Sequence, residues 1–155
     1  HPRVLGYLGR ALSLELTAVQ QYMTQASLVD LWGDQASADR FRSETVEELQ
    51  HAERIVQRML SLGVAPAASQ LQPSTHAADL VGLLEQNAEL EQQLVDHYSE
   101  ASRFCTLIND RDNGAFFSAL LEDEQHHSRD LEAWLTELGG RRNPGYRRYG
   151  GRASF

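Results

Sequence analysis

A chain of 155 residues with 41% apolar and 23% charged residues has the size and balance of one globular domain, and its single cysteine, Cys105, excludes an internal disulfide and a CxxC metal knuckle. No apolar run approaches the roughly 20 residues that span a bilayer, and no signal peptide is visible, so no membrane-spanning helix is expected and the cytoplasm is the expected location. The net charge of −8 is unevenly spread: all fourteen basic residues are arginine and five lie in residues 139–155 without an acid, leaving nine against 22 acids in the body, which argues against nucleic-acid binding and suits a protein that attracts cations.

The first stretch without strong breakers places Leu5, Leu8, Leu12, Glu15, Val19, Tyr22, Ala26 and Val29 at alternating steps of three and four, which predicts a helix with one buried seam. Trp32-Gly33-Asp34 ends it. The second stretch carries Phe41, Thr45, Glu48, Ala52, Ile55, Met59 and Leu62 on its seam. Between Gly63 and His76 lies a longer connection with Pro66 and Pro73. Its thirteen residues span roughly 43 Å when extended, about the length of a 28-residue helix. It can therefore run the length of a bundle and leave the second and third helices parallel. The third seam is Leu80, Leu84, Asn87, Glu91, Leu94, Tyr98, Ala101, Cys105 and Ile108. Asn109 to Gly114 forms the next turn, with Asp112 the expected N-cap of a fourth helix carrying Phe117, Leu120, Glu124, His127, Leu131, Trp134 and Leu138. The expected fold is an all-α four-helix bundle of two antiparallel hairpins joined by one long crossover. It occupies residues 1–138, and an Arg/Gly-rich tail over 139–155 is a poor candidate for a fifth helix.

Every seam carries one glutamate where an apolar residue belongs: Glu15, Glu48, Glu91 and Glu124. A buried carboxylate costs several kcal/mol unless it is paired, and no arginine occupies a seam position. The chain also reads as two copies of one hairpin. Glu15 precedes Glu48 by 33 residues, as Glu91 precedes Glu124, and Tyr22 and Tyr98 each follow a glutamate by seven. Both second glutamates open a Glu-x-x-His, giving His51 and His127. Residues i and i+3 share a helix face, so each pair aims an oxygen and a nitrogen at one point. Four carboxylates and two imidazoles form a mixed set suited to iron or manganese, and two divalent ions would match the four negative charges.

A glutamate from each of two helices and a Glu-x-x-His from each of the others is the ligand pattern of ferritin-like di-iron carboxylate bundles. The stretches ALSLELTAVQQY, EELQHAER and LEDEQHH resemble those of the bacterioferritins, over residues 4 to about 138. The resemblance implies two iron ions held by Glu15, Glu48, His51, Glu91, Glu124 and His127, with Glu48 and Glu124 bridging. It implies a ferroxidase that oxidises Fe(II) with O2 or H2O2 and stores Fe(III) as a homo-oligomer, a cage of 24 subunits. In the family a methionine directly after the first bridging glutamate ligates haem. Leu49 stands there and has no ligating atom, so haem would have to come from a different subunit in a mixed shell. Tyr22 and Tyr98 read as core aromatics, either of which could hydrogen-bond a ligand carboxylate. Glu47 and Asp123 could orient a ligand histidine, although Glu47 reads first as a surface acid. His126 points away from His127, His76 and His97 have no partner pattern, and Cys105 reads as a small hydrophobe. The tail could bind an acidic partner. Two other readings stay open: a di-iron oxidase or peroxidase without storage, and a ferritin-like subunit docked on a partner through its tail.

Overall fold

A computed structural model describes residues 1–74 and 77–139. His76 and all of the tail beyond Gly139 lie outside the described residues. Four long helices are present: α1 (Pro2–Leu31), α2 (Gln35–Ser61), α3 (Leu80–Leu107) and α4 (Arg111–Glu137). No helix among the described residues is long and apolar enough to cross a membrane.

The His1 imidazole caps α1 by accepting from the Arg3 amide, and the other three helices each begin where an aspartate takes up an orphan backbone donor. Asp34 accepts from the Ser37 amide, Asp79 from Gly82 and Asp110 from Asn113. The fourth helix is thus capped by Asp110, not by the expected Asp112, which sits inside its first turn. A capping side chain must stand outside the helix and reach forward to the third residue. The internal repeat carries the same information: Asp110 corresponds to Asp34, and Asn109 with φ of 57° corresponds to Gly33 with φ of 85°. Both turns need a left-handed residue after the helix, which glycine and asparagine supply at least cost.

Cross-helix contacts fix the topology. Glu15 meets Tyr98 and Tyr22 meets Glu91, so α1 and α3 run antiparallel. His51 meets Glu124 while Arg58 meets Asn113, so α2 and α4 run antiparallel as well. With each hairpin antiparallel, α2 and α3 are parallel, as the crossover length requires. The crossover runs along α1, where Gln70 N donates to Ser13 Oγ at 3.2 Å and Gln72 N to Thr17 Oγ1 at 3.2 Å.

The interior holds two apolar clusters. One contains Leu8, Leu12, Ile55, Leu94, Phe104 and Phe117, the other Val29, Phe41, Leu83, Leu84, Leu131 and Trp134. Along α2 and α4 the Glu-x-x-His pairs fall between them. The seams end earlier than their periodicity suggests: Leu62 and Leu138 cap their helices and are 41% and 42% exposed.

Candidate metal centre

The four seam glutamates converge in the middle of the bundle. Glu15, Glu48 and Glu124 are fully buried, and Glu91 and His51 nearly so. They form two overlapping groups, Glu15–Glu48–His51–Glu124 and Glu48–Glu91–Glu124–His127, in each of which one donor atom per residue lies within 4.8 Å of the others. Glu48 and Glu124 belong to both groups. The six residues singled out by spacing are therefore all brought together.

The helices set the roles. His51 Nδ1 lies 2.9 Å from Glu124 Oε1 and 3.4 Å from Glu15 Oε1. His127 Nδ1 lies 2.8 Å from Glu48 Oε1 and 3.5 Å from Glu124 Oε2. The imidazoles stack at 5.7 Å between centroids. Both tyrosines reach the carboxylates, each across to the other hairpin: Tyr98 Oη donates to Glu15 Oε1 at 2.6 Å and Tyr22 Oη to Glu91 Oε1 at 2.5 Å. Each leaves the second oxygen of its glutamate free. The Oε2 atoms of Glu15, Glu48, Glu91 and Glu124 are buried without a hydrogen-bond partner. Buried acceptors are rarely orphaned in proteins, and four aimed at one volume, beside two imidazole nitrogens, form a cluster able to hold metal ions. The set of hard oxygens and borderline nitrogens fits iron or manganese.

The outward imidazole nitrogens are held in a crossed arrangement. His51 Nε2 lies 3.2 Å from Asp123 Oδ2 on α4, and His127 Nε2 lies 2.7 Å from Glu47 Oε2 on α2. Glu47 is thus more than a surface acid. His126 is exposed, 3.6 Å from Asp130, and His97 Nε2 lies 2.8 Å from the Tyr7 carbonyl. Cys105 is buried in the apolar core.

Sequence reasoning missed three features. Arg54 Nη1 lies 3.0 Å from Asp123 Oδ2. Glu44, one turn before Glu48, is half-buried near His127 and Arg40. Asn87 Oδ1 accepts from Gln21 Nε2 at 2.8 Å and Gln25 Nε2 at 2.7 Å, forming a buried amide cluster one turn from Glu91. The polar Asn87 on an apolar seam was the available signal for the last.

Without a cation, protons do the neutralising. Burial and the charge of Glu15 push the Glu48 carboxyl up to about 8. Burial and the charges of Glu48 and Glu15 raise Glu124 to about 7. Burial and Glu124 raise Glu91. Glu15 moves the other way: burial works against its charge, but the neighbouring Glu48, the His51 imidazole and the Tyr98 hydroxyl outweigh it. Burial disfavours charge on the imidazoles too, yet their carboxylate partners lift His127 to about 12 and His51 well above its ordinary range.

Apart from that of Glu15, these shifts share one sign. The imidazoles contribute stability fully below their unfolded value of 6.5 and lose it as pH rises toward their folded values. Glu48 and Glu124 cost nothing below their unfolded value of 4.5 and increasingly more above it. The folded protein holds more protons than the unfolded one, so metal-free stability should fall as pH rises from 5 to 8. Calorimetry with chelator present should show a melting temperature dropping by several degrees over that range. A flat or rising profile would contradict the buried ionisation scheme.

Comparison with known proteins agrees with the geometry. A family model described as a ferritin-like domain matches residues 5–140. The bacterioferritin of Brucella melitensis is 31% identical over 149 residues, covering 96% of this chain and 91% of that one. The bacterioferritin of Rhodobacter capsulatus is 31% identical over 134 residues, covering 86% and 83%. A solved Rhodobacter capsulatus bacterioferritin with a metal-free dinuclear site and haem iron in a crystallographic special position superposes with a TM-score of 0.86 at 30% identity, covering 90% of this chain and 87% of that one. With a buried carboxylate–imidazole centre inside a bundle of this topology and relatives over nearly its whole length, the chain belongs to the bacterioferritins of the ferritin-like family.

Proposed function

We propose that this chain is a ferroxidase and iron-storage subunit of bacterioferritin type, with Fe(II) as its substrate. The observation that supports the reading best is the pair of overlapping donor groups sharing Glu48 and Glu124, with at least one orphaned oxygen on each of the four glutamates and two on Glu48. Two Fe(II) ions would be held by Glu15 and His51 on one side and Glu91 and His127 on the other, with Glu48 and Glu124 between them. Each Fe(II) gives up one electron, and O2 or H2O2 takes the pair.

The chain's own residues would do three things. Tyr98 and Tyr22 hold one oxygen of Glu15 and Glu91, so that the other faces the ions. Asp123 and Glu47 fix the outward nitrogens and leave both Nδ1 atoms as ligands, as carboxylates do behind metal-bound histidines. The apolar clusters on either side exclude water, which strengthens every charge interaction inside. Leu49 is 52% exposed on α2. A leucine side chain offers no lone pair, so this position does not fit haem ligation, and haem in a mixed shell would have to rely on another subunit. A homo-oligomeric cage is proposed from the family alone.

Aerobic iron loading tests the reading. Fe(II) is added in steps to the full chain, the protein is desalted, and the iron retained per subunit is counted beside a Glu48→Ala control. Rapid oxidation with many tens of irons retained per subunit is expected. Retention near two would remove the storage function and leave a di-iron oxidase. Oxidation no faster than the control would remove the ferroxidase.

A further inference from the structure

The internal repeat allows the two halves of the metal centre to be compared residue by residue. Glu91 stands for Glu15, Glu124 for Glu48 and His127 for His51. By the same offset, Asp123 stands for Glu47. The carboxylates that hold the two outward imidazole nitrogens are therefore each other's counterparts. Their surroundings differ in charge: Arg54, three residues after His51, has as its counterpart Asp130, three residues after His127, and Glu44, which lies near His127, has as its counterpart Leu120.

The consequence is visible in the contacts. Around His51, Asp123 Oδ2 is shared between the imidazole at 3.2 Å and Arg54 Nη1 at 3.0 Å, so ring, carboxylate and guanidinium are tied across α2 and α4. Around His127, Glu47 takes the imidazole at 2.7 Å, but among the described residues no arginine lies within ion-pair distance of Glu47. The cation on that side, Arg40, stacks at 3.7 Å over the Trp134 ring and lies 3.7 Å from Glu137. The His127 side chain is also the more open, 17% exposed against 7% for His51.

A metal ligand holds its ion longer when its own rotamer is fixed by partners behind it. We propose that the two positions of the centre differ in lability: the Asp123–Arg54 pair locks His51 and the cation beside it, while the position built on His127 exchanges its cation first. Arg54 and Asp123 act here as positioning residues, through His51. The inference rests on the metal-binding reading above, and its failure can be told apart from the failure of that reading.

Co(II) is the probe, added anaerobically to the full chain and followed by its visible absorbance, with release started by excess chelator. Two Co(II) per subunit should bind, and they should leave in two phases of equal amplitude separated by about tenfold or more. Arg54→Gln should speed the slow phase toward the fast one. Asp130→Arg, which places a guanidinium beside Glu47 as Arg54 lies beside Asp123, should slow the fast phase. Release of both ions in one phase from the unaltered protein would overturn the inference. So would an Arg54→Gln variant whose slow phase is unchanged. Fewer than two Co(II) bound per subunit would overturn the centre itself, and this inference with it.

Discussion

Replacing Glu124 with leucine should remove ferrous oxidation and, at pH 8, make the metal-free protein more stable. The two effects have one cause. Glu124 occupies a seam position of α4 between Leu120 and Leu131, and it is fully buried. Its carboxyl is raised to about 7 by burial and by the charges of Glu48 and Glu15, so at pH 8 the fold holds an ionised group it does not favour. Leucine removes that cost and keeps most of the volume, at the expense of the hydrogen bond from His51. A net gain on the order of 1–3 kcal/mol is expected, or several degrees in melting temperature. Oxidation should fall by at least about a hundredfold, because both donor groups share this residue. The check is a melting curve with chelator at pH 8 beside an initial-rate assay with Fe(II). A variant that loses stability at pH 8 would mean that the carboxylate is supported without a cation. One that still oxidises iron would mean that Glu124 does not bridge.

Divalent cation should raise the melting temperature sharply, and more so at high pH. A ligand at a hundred times its dissociation constant stabilises the native state by about 2.7 kcal/mol per site. Two sites would then contribute roughly 5 kcal/mol, about 15 °C for a domain of this size. The ions must displace the protons carried by the imidazoles and raised carboxyls, so binding releases protons and weakens as pH falls. Anaerobic melting with Co(II) at pH 8 and pH 5.5 checks this. The shift should shrink strongly at the lower pH, and Glu124→Leu should lose most of it at both. An equal shift at both pH values would place the ions elsewhere, on groups that do not titrate in this range.

Much of the centre was legible in the sequence because helical periodicity is a local property. Steps of three and four put Glu15, Glu48, Glu91 and Glu124 on four apolar seams, and the i, i+3 spacing put His51 and His127 beside two of them. Duplication did the rest: a repeated hairpin with repeated spacing places its ligands at matching heights. The same repeat relates Asp110 to Asp34 and so locates the cap of α4, whereas Asp112 lies inside its first turn.

What escaped the sequence depends on how the helices are rotated and slid against one another. The sequence leaves Glu47, which follows Val46 on α2, open between a surface acid and a partner of a ligand histidine, and which histidine it meets is settled only where α4 brings His127 Nε2 to within 2.7 Å. Asp123 and Arg54 are 69 residues apart and meet only across the α2–α4 contact. Gln21 and Gln25 lie beside Tyr22 on α1 and are buried only because Asn87 of α3 faces them.

By itself, the sequence determined four helices, their buried faces and the six donors that can surround a metal, since each follows from spacing along one chain. The tertiary structure decided which imidazole meets which carboxylate, which pair is braced by a cation and which tyrosine holds which glutamate. Those choices are set by packing between helices, where a rotation of one residue step, about 100°, would replace every partner.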